Sequence, residues 1–125
     1  MKRIVLLLAI MTASIMGVAA CDSGKPGAPK EETALMSPPG SAGREQNDEG
    51  VGHYRQGHWD VAEGHFRKAL NADANLAVAH FNLALTLDKE GKHEAATASF
   101  KKAAELGAAN PAIKDSVILK KHTGM

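Results

Sequence analysis

Small and large apolar residues recur along residues 57–106 in one pattern written twice. GHWDVAEGHFRKAL (57–70) aligns with GKHEAATASFKKAA (91–104), pairing Gly57 with Gly91, Ala62 with Ala96, Phe66 with Phe100, Lys68 with Lys102 and Ala69 with Ala103. Each pair is 34 residues apart, and a fixed period of that size predicts a helical repeat array. Within each copy Ala, Phe and Ala are spaced by four and then three residues, which places them on one helix face. The alanines let helices approach closely and the ring fills the space beside them.

The same periodicity predicts the remaining elements. A first helix is expected from about Arg44 to Gln56. It is the weakest, because Gly50 and Gly52 each cost about 1 kcal/mol against Ala and Glu49 occupies a packing position. A second, from Trp59 to Asn71, carries the stripe Trp59, Ala62, Phe66, Ala69, Leu70. Asn75 is the expected N-cap of a third helix, Leu76 to Glu90, which is apolar nearly all round and therefore buried on more than one side. Gly91 ends it, and His93 to Leu106 form the fourth. Asn110 followed by Pro111 is a cap and first-turn signal. It starts a helix to about Lys121, with Ile113, Val117 and Ile118 turned toward the preceding helices.

Ahead of this domain the pattern changes. Lys2 and Arg3 precede an apolar run from Ile4 to Met16 that is short for a bilayer span, followed by Gly17, Val18, Ala19, Ala20 and Cys21. That order reads as a cleaved signal peptide, residues 1–20. Residues 22–43 (DSGKPGAPKEETALMSPPGSAG) are rich in Gly, Pro, Ser and Ala without periodicity, and are expected to be a flexible linker. Its root-mean-square span would be roughly 25 Å. Leu35 and Met36 are its adjacent apolar residues, a short docking motif or an incidental pair.

The spaced residues carry a resemblance. Leu83, Ala84, Gly91, Ala96, Phe100 and Ala103, and in the earlier copy Gly50, Gly57, Trp59, Ala62, Phe66 and Ala69, resemble the tetratricopeptide repeat (TPR). Glu49 departs from the Leu of that pattern, Gln46 and His80 from its frequent Trp, and Ala74 and Ala108 from its Pro. The resemblance implies an all-α fold of two helix-turn-helix repeats (about 44–75 and 76–109) with a capping helix (about 110–122). The TPR domain would then be residues 44–122, after the linker of residues 21–43. GVAAC is similar to the bacterial lipobox, which implies that Cys21 becomes the lipidated N-terminus. With two or more chains such an anchor holds stably, each buried methylene contributing about 0.8 kcal/mol. An ordinary signal-peptidase site is the alternative, but it would leave an unpaired Cys in an oxidising compartment.

Composition narrows the function classes. Lys and Arg number 15 and Asp and Glu 14, and no basic run points to nucleic acid. Removal of residues 1–20 shifts the formal charge from +1 to −1. Two repeats are fewer than the three usually needed for stability, so a terminal helix or a second copy has to cover an exposed end, and self-association is an expected option. The six histidines show no pair at the spacing that puts two metal ligands on one helix face. No metal or other cofactor is expected. Neither a Ser-centred elbow nor a phosphate loop is present, so the chain reads as a non-enzyme.

TPR proteins bind peptides or partner helices along the face lined by their first helices. Carried onto this chain, that groove is Asn47, Asp48, Val51, Tyr54 and Arg55, then Val78, Phe81, Asn82, Leu85, Asp88 and Lys89, with Asp115, Ser116 and Leu119 added from the terminal helix. Its apolar floor suits an amphipathic helix or an extended apolar peptide. The competing expectation is that the terminal helix or a second molecule simply covers Phe81 and Leu85. The carboxylate-clamp variant is matched only at Asn82. The expected function is a membrane-anchored TPR interaction module or scaffold of the bacterial cell envelope, with an unidentified protein or peptide as partner. The alternatives are an assembly or pilot lipoprotein for an envelope complex and, below it, a His-rich periplasmic metal binder.

Overall fold

A computed structural model describes residues 32–125. The expected signal peptide, Cys21 and the first part of the linker lie outside the described residues. Within them the fold is all-helical: α1 (Arg44–Arg55), α2 (Trp59–Ala72), α3 (Ala77–Lys89), α4 (His93–Leu106), α5 (Pro111–Lys114) and α6 (Val117–Thr123). Successive helices pack on one another, α1 on α2, α2 on α3 and α3 on α4, and α6 returns onto α4. No helix among the described residues is long and apolar enough to cross a membrane.

Two turns set the α1–α2 and α3–α4 hairpins, and they are the same turn. Gly57 and Gly91 both have φ +78°, a left-handed conformation that glycine adopts without steric cost. In the first turn the His58 N–H donates to the His53 carbonyl at 3.0 Å and the Gly57 N–H to Tyr54 at 3.0 Å. In the second, Lys92 donates to Leu87 at 2.8 Å and Gly91 to Asp88 at 3.0 Å. This pair of bonds, six-to-one and five-to-two, closes a helix by the Schellman geometry and satisfies carbonyls that the helix end leaves open.

The striped positions form the core. Ala62, Phe66, Ala69, Ala96, Phe100 and Ala103 are all fully buried, and Phe81 of α3 meets Phe100 edge-on with ring centroids 5.8 Å apart. The helix apolar all round is α3, whose residues Val78, Ala79 and Phe81 through Leu87 are buried. It lies between α2 and α4, with α1 also against it.

Several local expectations change. α3 starts at Ala77 rather than Leu76, and Asn75 does not cap it. Instead the Asp73 carboxylate accepts the Asn75 N–H at 2.9 Å, an Asx turn that competes with helix initiation. Glu49 avoids the core: its side chain is 49 % exposed and pairs with His65 Nδ1 at 3.2 Å. His80, where a large aromatic residue was the pattern, uses Nε2 to reach the Ala74 carbonyl at 2.9 Å and ties down the α2–α3 connection. The single terminal helix is two. Asp115 ends α5, and Ser116 starts α6 by accepting the Leu119 N–H on its hydroxyl at 3.1 Å. The break resets the helical phase, so Ile113 and Leu119 are the buried apolar residues while Val117 is 74 % exposed.

Candidate functional site

The groove-lining residues inferred for the first helices of the repeats fall on α1 and α3, and most are buried, whereas Asp115 and Ser116 lie between α5 and α6 and Leu119 within α6. Asn47, Phe81 and Asn82 are fully buried, and Val51, Tyr54, Val78 and Leu85 nearly so. What covers them comes from the same chain. Residues 32–38, the latter part of the stretch expected to be a flexible tether, run without helical structure against α1 and α3. Ala34 is 1 % exposed and joins the cluster that contains Val51, Val78, Phe81 and Leu85, with Leu35 packed on its edge.

The segment is held mainly by its backbone. The Leu35 N–H donates to Asn82 Oδ1 at 2.7 Å, and Asn82 Nδ2 donates back to the Leu35 carbonyl at 2.7 Å. Asn47 Nδ2 donates to that same carbonyl at 3.0 Å. The two amides are joined to each other, Asn82 Nδ2 donating to Asn47 Oδ1 at 2.8 Å. Two residues on, the Ser37 N–H donates to the Asp48 carboxylate at 2.9 Å. Arg44 holds that carboxylate from the other side at 3.3 Å. A carboxamide offers a donor and an acceptor side by side, so Asn82 matches the N–H and C=O of one extended residue as a neighbouring strand would. Buried polar groups need such partners, because leaving one unsatisfied costs about 1–3 kcal/mol.

Pro38 and Pro39 end the segment. A residue preceding proline is driven out of the α region, which suits the extended course through Ser37. The chain then reverses, with the Ser41 N–H and hydroxyl both donating to the Pro38 carbonyl at 3.3 and 2.8 Å, and returns as α1. The segment therefore runs antiparallel to α1. Ser37 lies by Asp48 in the first turns of α1, whereas Glu32 and Thr33 border a depression with Tyr54, Arg55 and Trp59 at its other end. Glu32 also reaches α6, its carboxylate accepting the Val117 N–H at 2.8 Å.

The remaining candidates are distributed around this centre. Arg55 and Lys89 are exposed, and the Lys89 ammonium lies 5.9 Å from the centroid of the Trp59 ring, which in turn meets Tyr54 edge-on at 4.9 Å. Asp88 is taken by two histidines, His93 at 2.8 Å and His122 at 3.0 Å, linking α3 to α4 and α6. His53 stands between the rings of His58 (5.8 Å) and His65 (5.2 Å), a proximity that the spacing of His58 and His65 alone does not suggest. Among the described residues no group of three or more His, Cys, Asp and Glu is placed to hold a metal ion.

Between α2 and the turn after α3, Glu63 of α2 binds Lys92 at 2.8 Å and Arg67 at 2.7 Å, and Lys92 also reaches Glu90 at 3.2 Å. The Lys92 ammonium, and after it Arg67, hold the Glu63 carboxyl down at about 2. Burial and the adjacent Glu63 push Glu90 up, and the two carboxylates raise Lys92.

The signal for the seated segment was present in the amides. Asn47 and Asn82 sit on otherwise apolar helix faces, where a buried carboxamide requires a partner; the partner, 47 residues before Asn82, is beyond the reach of any helical periodicity. No family model matches the chain, and no match is found among curated proteins or solved structures.

Proposed function

We propose that this chain is a lipid-anchored TPR-type interaction module of the bacterial cell envelope, which binds an extended protein segment against α1 and α3. The observation that carries the reading is the backbone grip on Leu35: Asn82 pairs with both its N–H and its C=O, and Asn47 with its C=O. Two residues whose amides read main chain rather than side chain make a site for extended peptides of varied sequence. The identical Gly57 and Gly91 turns and the paired burial of Ala62/Ala96, Phe66/Phe100 and Ala69/Ala103 support two TPR units. α6, with Leu119 buried and its helix on α4, supports a capping role. The anchor rests on the GVAAC sequence ending at Cys21.

Two experiments test the reading. Metabolic labelling with palmitate, followed by fractionation, should find the chain lipidated and in membranes, and Cys21→Ala unlabelled and released; label retained by the variant refutes the anchor. For the groove, a displayed library of random heptapeptides is panned against a chain in which Ala34→Arg and Leu35→Pro together keep residues 32–38 from seating. Panning is repeated in an additional Asn82→Leu background. Selected peptides that depend on Asn82 support the site, and selection indifferent to Asn82 refutes it.

A further inference from the structure

The groove is occupied in cis, and the occupant describes what the groove accepts. Resting on the peptide-binding reading above, we infer that residues 32–38 are a displaceable internal ligand. They hold the site closed until a protein segment of the same backbone and side-chain character displaces them.

The seat defines that character position by position. At Ala34 the side chain is 1 % exposed within an apolar cluster, so the ligand carries a small residue there; a longer one would overpack the site. At Leu35 both main-chain groups are used, so proline is excluded and the residue must be extended. At Ser37 the N–H is used by Asp48, so proline is excluded again. Met36, between them, is 52 % exposed, so its position takes any side chain. The ligand class is an extended segment of the form small–X–X–Y, where X is variable, the first X is not proline and Y supplies an N–H.

Closure follows from connectivity. Only the short turn through Pro38 to Gly43 separates the segment from α1. A ligand tethered by a few residues sees its site at an effective concentration on the order of millimolar. Against a free peptide that binds the empty groove with a Kd of about 0.1 mM, such a tether weakens apparent binding by about tenfold. The segment also adds little apolar burial, Ala34 and part of Leu35 being its contribution, so few side-chain contacts oppose its exchange.

The test uses a fluorescent peptide of residues 32–39 and the full chain in three forms: unaltered, Ala34→Arg and Leu35→Pro. The first substitution cannot be seated at the closed position, and the second deletes the N–H read by Asn82. Circular dichroism follows folding of each. The expected result is that the peptide binds both variants at least tenfold more tightly than the unaltered chain. A control peptide with N-methyl leucine at position 35 should bind none of them. Equal affinity for all three forms overturns internal competition while leaving the peptide-binding reading intact. Absence of binding to folded variants overturns both. If one variant unfolds the other decides; if both lose helical signal, the segment is an integral part of the core and the inference is overturned.

Discussion

Two glycines two residues apart in α1 have opposite physical roles. A methyl group at Gly50 would lie 2.6 Å from Phe66 Cε1 and 3.1 Å from His65 Cβ, and Phe66 is fully buried with nowhere to swing. The helix-propensity cost of Gly50 is therefore offset by the close approach of α1 and α2 that it permits. Gly52 has nothing within 4 Å of such a methyl, and its cost has no compensation. Gly52→Ala is expected to stabilise the fold by about 1 kcal/mol. Gly50→Ala, gaining the same propensity but overpacking Phe66, should destabilise it by up to about 2 kcal/mol net. Urea denaturation of the two variants beside the parent checks both signs; stabilisation by Gly50→Ala would show that the α1–α2 contact relaxes easily. Asn47 and Asn82 belong to the same scale: each is fully buried, and each spends its amide on the other and on Leu35.

At the scale of elements, short caps and a charge network hold the helices in register. α6 has seven residues, too few to be stable by itself, and depends on the Ser116 hydroxyl for its first turn. Ser116→Ala should cost about 1 kcal/mol and loosen α6 from α4, read as faster hydrogen exchange at Leu119 and its neighbours without change in α2. The Glu63–Lys92 contact joins α2 to the turn after α3. With its carboxyl held at about 2, below the ordinary 4.5, Glu63 contributes stability that is complete above pH 4.5 and is lost as the pH falls toward 2. The raised Glu90 acts in the opposite sense, favouring the protonated form. The melting temperature of Glu63→Gln should therefore lie below that of the parent above about pH 4.5, and the gap should close on acidification toward pH 2. A gap independent of pH would assign the loss to packing instead.

For the whole molecule, the helices stack nearly in chain order, and among the described residues the hydrogen bonds of greatest sequence separation are made by the segment before α1. Leu35 reaches Asn82 across 47 positions and Glu32 reaches Val117 across 85. These contacts tie α1, α3 and α6 together, yet they rest on few buried side chains. Hydrogen exchange should show the Leu35 and Ser37 amides protected and Met36 unprotected, since only the first two are among the hydrogen bonds made to α1 and α3. Protection at Leu35 should be weaker than in the middle of α3, because the segment can open without the helices. Equal protection would mean that segment and helices open together.

The sequence by itself determined the helical class, the glycine that ends α3 and the paired Ala–Phe–Ala stripes, features that are local and set by a period of 3.6 and a repeat of 34 residues. The placing of Asn47, Val51, Phe81 and Asn82 along one groove came instead with the resemblance that the spaced residues carry. Only the tertiary structure decided that Gly50 is required and Gly52 is not, that Ser116 divides the last helix, that His53 stands between His58 and His65, and that residues 32–38 fill the groove. Apart from the Ser116 break, a local cap on Leu119, each of these depends on contacts between different elements of the fold. A segment recognised through its main chain leaves almost no mark in side-chain pattern, because N–H and C=O groups are common to nearly every residue.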